Sequence, residues 1–114
     1  MKTLLYLYAV ALPFAIFFSP NKEQPMPSFN KGTWVVQYNA SFNKANDYKW
    51  YPKPGVNYQY IDLEKMPEFK KLARISHSIP TVIVYKDGKE VKRFESDITF
   101  KLAVNQSQIL DATK

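Results

Sequence analysis

The sequence predicts an α/β domain with a mixed central sheet, its elements running β-α-β-α-β-β-α, set behind an N-terminal hydrophobic helix. Three observations predict it. Short runs of β-branched and aromatic residues alternate with segments whose apolar residues recur near helical spacing. Thr81–Lys86 and Lys89–Phe94 are strand-like and flank Asp87-Gly88, the dipeptide of a tight hairpin turn. Leu4 to Phe18 is an unbroken run of fifteen residues with neither charge nor amide, unlike anything after it.

That run divides the chain. Residues 1–19 carry one charge, Lys2, and have the layout of a signal: a basic start, then an apolar stretch. The exit reads Phe17-Phe18-Ser19-Pro20, without the small residues a signal peptidase needs at −3 and −1. A retained membrane anchor is therefore expected, with a single span and the folded domain on one side. Cleavage would instead make the domain secreted or periplasmic. Fifteen residues fall short of the ~20 of a relaxed span, so local thinning or snorkelling by Lys2 and Lys22 is implied. Residues 20–32 hold three prolines and no period, and read as an extended Pro-rich linker. Residues 33–114 are the expected domain.

Within it, Thr33–Tyr38 has the composition of a buried strand. Ser41–Tyr51 places Phe42, Ala45, Tyr48 and Tyr51 near helical spacing, and Pro52 and Pro54 must end that helix. Asn57–Leu63 reads as the second strand. Pro67–Ile75 reads as a helix with Phe69, Leu72 and Ala73 inside and Lys70, Lys71 and Arg74 outside. The hairpin follows. Ser96 or Asp97 can cap a last helix that buries Ile98, Leu102, Ile109 and Leu110.

Composition removes much chemistry. Of 114 residues none is cysteine, which excludes disulfides, zinc–thiolate sites, iron–sulfur clusters and cysteine nucleophiles. A lone histidine, His77, excludes a multi-histidine metal site. No metal, cofactor or catalytic residue is expected. Sixteen basic residues against ten acidic ones give a net charge of +6. Beside an anchor, a basic surface suits anionic lipid headgroups.

The stretch Ser78-Ile79-Pro80-Thr81-Val82-Ile83-Val84-Tyr85-Lys86-Asp87-Gly88 resembles the second half of the thioredoxin family: a proline step, a β-branched strand and a Lys-Asp-Gly turn. Val35–Asn46 resembles that family's first core strand and its active-site turn. Aligned on Ala40, Phe42 takes the tryptophan position, and Asn43 and Asn46 take the two positions of Cys-x-x-Cys. Gln37 takes the place of the family's buried carboxylate, and Asp62 resembles an aspartate that often follows the second strand. The resemblance implies a reduced thioredoxin-like fold, without room for the family's N-terminal strand and helix. It also implies a cis Ile79–Pro80 bond. Thiol exchange needs a thiolate and a resolving thiol, and asparagine supplies neither. Disulfide oxidoreductase activity is not expected.

What the resemblance leaves is binding. Phe42, Asn43, Ile79 and Pro80 would floor a peptide-binding groove, with the Ile79 main chain open to an extended partner. The expected function is thus a redox-inactive, membrane-tethered domain that binds a protein or peptide. Two other readings stay open: a non-catalytic accessory of a redox or assembly complex, and a basic nucleic-acid-binding module. The last would use Tyr48, Trp50, Tyr51, Tyr58 and Tyr60 with Lys44, Lys49 and Lys53. Aromatics covering the sheet of a small domain are the simpler reading. Asn39-Ala40-Ser41 and Asn105-Gln106-Ser107 match the glycosylation acceptor pattern, which recurs by chance. His77 reads as a solvated loop residue.

Overall fold

The protein's structure, a computed structural model, describes residues 27–114. The expected anchor, and the expected linker up to residue 26, lie outside the described residues. Among the described residues no helix is long and apolar enough to cross a membrane.

Six elements build the fold: β1 (Thr33–Asn39), β2 (Asn57–Asp62), α1 (Glu68–Leu72), β3 (Thr81–Lys86), β4 (Lys89–Glu95) and α2 (Gln106–Ala112). The sheet order is β2-β1-β3-β4. β1 pairs parallel with β2, Tyr38 opposite Ile61, and antiparallel with β3, Val36 opposite Ile83. β4 returns antiparallel beside β3, with a register shift at Val84/Tyr85. The sheet is mixed, as expected.

Strand residues alternate between faces, so each strand feeds two cores. One face gathers Val36, Tyr38, Ile61, Ile83 and Tyr85 under Phe69, Ala73 and Ile75 from the α1 region. The Tyr38 and Tyr85 hydroxyls, buried there, hydrogen-bond each other at 2.8 Å. Burial pushes both up, Tyr85 to about 12, so both are neutral donors and acceptors. The other face gathers Val35, Val82, Val84 and Ile109, with Tyr48, Trp50, Val56 and Tyr58 packed on them. The expected core role of the aromatics holds for these three, whereas Tyr51 is exposed. Trp50 and Tyr58 stack on each other, 5.8 Å apart and 5° from parallel.

Packing also reaches back before Thr33. Phe29, in a 3-10 turn at Pro27–Phe29, is buried against Trp34, Phe69 and Tyr85. The apolar ring outweighs the proline-rich composition around it, so the packed unit begins inside residues 20–32.

Three helices differ from expectation. The helix expected over Ser41–Tyr51 stops as a 3-10 segment, Ser41–Asn46, kinked at Asn43. Its continuation is pulled flat because the Gln37 side chain accepts from Tyr48 N at 2.7 Å and donates to Tyr48 O at 2.9 Å. α1 is shorter than expected and leaves Leu72 exposed, while Phe69 and Ala73 are buried. Arg74 ends it with a left-handed φ of 55°, and the Arg93 guanidinium donates to the Ala73 and Arg74 carbonyls at 2.7 and 3.1 Å. The last helix begins at Gln106 rather than Ser96 or Asp97. Asp97 Oδ1 accepts from Thr99 N at 2.8 Å and so closes a local turn, and Phe100 at φ 63° cannot continue a helix. Asn105 caps α2 instead, in a capping box with Gln108. Ile98, expected inside the helix, is left 94% exposed.

Candidate functional site

The residues singled out in the sequence meet at one end of the sheet, where β1 runs out. Asn39 ends β1, Ala40 is extended, and the chain then turns sharply, Asn43 N donating to Ala40 O at 2.9 Å. The turn is held by an amide net. Buried Asn39 donates to Asp47 Oδ1 at 2.6 Å and to Asn43 O at 3.2 Å. Asn43 Nδ2 lies 3.1 Å from Asn39 Oδ1, 3.4 Å from Ile79 O and 3.3 Å from Phe100 O. Asn46 Nδ2 donates to Asn43 Oδ1 at 2.8 Å. Tyr60 adds its hydroxyl to Asp47 Oδ1 at 2.7 Å, and burial, then that carboxylate, raise the phenol further from ionisation.

Asn43 is thus the hub that joins the turn, the proline loop and the segment after β4. An amide has both a donor and an acceptor, so one buried side chain can serve all three. It offers no nucleophile and no electron couple. On the turn's rim, Ser41 Oγ donates to Asp62 Oδ2 at 2.5 Å. That bond, with Glu64 N, holds the Asp62 carboxyl below its ordinary value.

The Ile79–Pro80 bond is cis, and both residues are buried. Ile79 O faces the Asn43 amide, so this carbonyl is not free for an extended partner. Phe100 joins the same place. Its carbonyl accepts from Asn43, and its ring meets Phe42 edge-on at 6.4 Å and 89°. What faces solvent here is aromatic, Phe42 at 69% and Phe100 at 40% exposure, and Ile98, two residues before Phe100, is 94% exposed. Of the four groove residues, Phe42 alone is presented. The sequence reading missed Phe100, although Asp97-Ile98-Thr99 carries the signal of an Asx turn that would have placed it.

The remaining candidates scatter. His77 is exposed in the loop before Pro80. Asn39 is too buried to be modified in the folded chain, and Asn105 is exposed but committed to its cap. Among the described residues no group of three or more His, Cys, Asp or Glu gathers as a metal site.

No family model and no curated protein sequence matches the chain. Solved structures do. The thioredoxin of Malassezia sympodialis superposes with a TM-score of 0.52 at 16% identity, over 76% of this chain and 82% of that one. Thioredoxin from Schistosoma mansoni gives 0.52 at 18%, covering 76% and 79%. Thioredoxin from Fasciola hepatica gives 0.51 at 22%, covering 76% and 86%. The chain has the thioredoxin-like fold. A thioredoxin-like domain without a single cysteine has no thiol to exchange. Its Asn43–Asn46 pair, side chains facing each other across the turn, serves as a polar clasp.

Proposed function

We propose that this chain is a redox-inactive thioredoxin-like domain, tethered to a membrane through residues 1–19, that binds a protein or peptide partner at the Phe42 end of its sheet. One observation carries the reading. Phe42 stands in solvent against the Phe100 ring, on a turn fixed by buried amides, and Ile98, two residues before Phe100, is exposed as well. Apolar side chains presented together on a rigid base lose little entropy when a partner covers them. Cysteine's absence supports binding over chemistry, and the uncharged run Leu4–Phe18 supports the tether.

The partner contact differs from an open groove. Ile79 and Pro80 are buried and the Ile79 carbonyl faces Asn43, so the partner would meet the exposed edges of Phe42 and Phe100 first. The test is photo-crosslinking from position 42 in the full chain, expressed in membranes and washed with high salt. The chain should stay in the pellet, since salt releases only charge-held proteins. A discrete adduct should form from position 42, weaken with Ile98→Asp, and be absent from a probe at Lys89. Release by salt sinks the tether, and adducts equal at both positions sink the docking surface.

A further inference from the structure

The two edges of the sheet are built differently. β4 carries Lys89, Lys92 and Arg93, and its pairing is broken by the register shift at Val84/Tyr85. Charge and irregularity are what keep an edge strand from pairing with another chain. β2, Asn-Tyr-Gln-Tyr-Ile-Asp, has no Lys, Arg or Pro and runs beside β1 in unbroken register from Asn57 to Asp62.

The open main-chain groups of β2 can be assigned. Leu63 N donates to Asn39 O at 2.8 Å, which aims the odd-numbered residues of this stretch at β1. The pleat then turns Tyr58, Tyr60 and Asp62 to the outer edge. Asp62 O is taken by Lys65 N and Met66 N, at 3.0 and 2.9 Å. Tyr60 O meets only the exposed Gln59 amide, at 3.2 Å. The N–H and C=O of Tyr58 and the N–H of Tyr60 have no hydrogen-bond partner among the described residues.

The geometry points to a second copy of this chain on that edge, β2 pairing antiparallel with β2 about a two-fold axis at Gln59. In this register Tyr58 lies opposite Tyr60 of the second copy, and the reverse. Both are outward residues, so each pair exchanges N–H···O=C bonds and the outward groups of Tyr58 and Tyr60 are used together. Gln59 faces itself across the axis. A register centred on Tyr60 would instead need the Asp62 carbonyl, which is already taken. Asn57–Ile61 carries no charge, so two chains of net charge +6 meet where they repel least. Both tyrosines are already anchored, Tyr58 to Gln37 Nε2 at 2.8 Å and Tyr60 to Asp47. Cross-strand aromatic pairs then form without ordering new side chains. Two four-stranded sheets become one of eight strands. This contact lies along the side of the sheet and is independent of the Phe42 surface.

Absence of native cysteine makes the test clean. In the full chain, in detergent micelles, Gln59→Cys places one thiol at the axis. A non-hydrogen-bonded antiparallel pair brings two such Cα atoms within disulfide range, so Gln59→Cys should form covalent dimers at least about tenfold faster than Val91→Cys on β4. The Val91 control carries the same N-terminal segment and micelle. Sedimentation of the wild type should show a dimer, and Gln59→Lys, which sets like charges face to face, should shift it to monomer. Equal crosslinking rates overturn the proposal. So does a wild-type monomer whose Tyr58 and Tyr60 amides exchange slowly, since residues before Pro27 would then cover the edge.

Discussion

The two faces of the sheet are closed by different physics. On the α1 face, rings from distant parts of the chain interlock. Phe29 meets Trp34 at 5.2 Å, Tyr85 at 5.3 Å and Phe69 at 6.4 Å, and Tyr38 meets Phe69 at 6.2 Å. On the opposite face the fully buried set is small, and the cover is a loop placed by the Gln37 amide, which grips Tyr48 and Tyr58. Trp50 Nε1, buried there, has no hydrogen-bond partner among the described residues. The first face is held by filled volume, where a lost ring leaves a void. The second is held by satisfied polar groups, where a lost amide leaves a loop unanchored.

The largest expected effect breaks the first face. Phe69→Ala should cost about 3–5 kcal/mol, because the surrounding rings close only part of the cavity. A domain of this length has roughly 4–13 kcal/mol in all, so the urea midpoint should fall by at least about a fifth. A loss below about 1 kcal/mol would mean the ring is not a core residue.

A smaller effect breaks the second face. Gln37→Ala strips partners from the Tyr48 main chain and the Tyr58 hydroxyl, a loss of about 1–3 kcal/mol. Its signature is local: faster amide exchange over 47–58 with the α1 face still protected. Gln37→Leu should not restore it, since volume is not what the site lacks. Wild-type protection in the leucine variant would show that packing alone places the loop.

The smallest effect sharpens the contrast through charge, at the rim of the α1 face. Arg93 Nη2 donates to Glu90 Oε1 at 2.8 Å, and Arg74 approaches the same oxygen at 3.3 Å. The Arg93 hydrogen bonds, and next the two positive charges, hold the Glu90 carboxyl below its ordinary 4.5 against its burial. A lowered folded value means that the stabilisation is present above the unfolded value and lost as pH falls through the folded one. Glu90→Gln should therefore cost at most about 1 kcal/mol near neutral pH, with the gap to wild type closing on acidification to about pH 3. Urea midpoints at the two pH values decide it, and a gap that persists in acid would assign Glu90 to shape rather than charge.

Local rules made much of this fold legible. β-branched runs and Asp87-Gly88 carry their own geometry, so all four strands and the hairpin stand where the sequence put them. The Ser78–Gly88 pattern led to the thioredoxin-like fold, and the same alignment brought Phe42, Asn43, Ile79 and Pro80 to one place. The helices were less legible. Tyr48 and Tyr51 sit at helical spacing from Phe42, yet Gln37, a strand residue eleven positions earlier, holds Tyr48 extended. A capping aspartate and an Asx-turn aspartate look alike in sequence, and Asp97 is the second kind. Phe29 sits among prolines and is nonetheless core.

The sequence by itself determined the strands, the hairpin, and the loss of thiol chemistry, because period, turn propensity and residue type act over a few positions or none. Tertiary structure alone decided what Asn43 does. Its amide reaches the Ile79 and Phe100 carbonyls, 36 and 57 residues away, and so ties the proline loop and the segment after β4 to the turn. An amide's value depends on which donors and acceptors surround it, and only the folded chain brings those together.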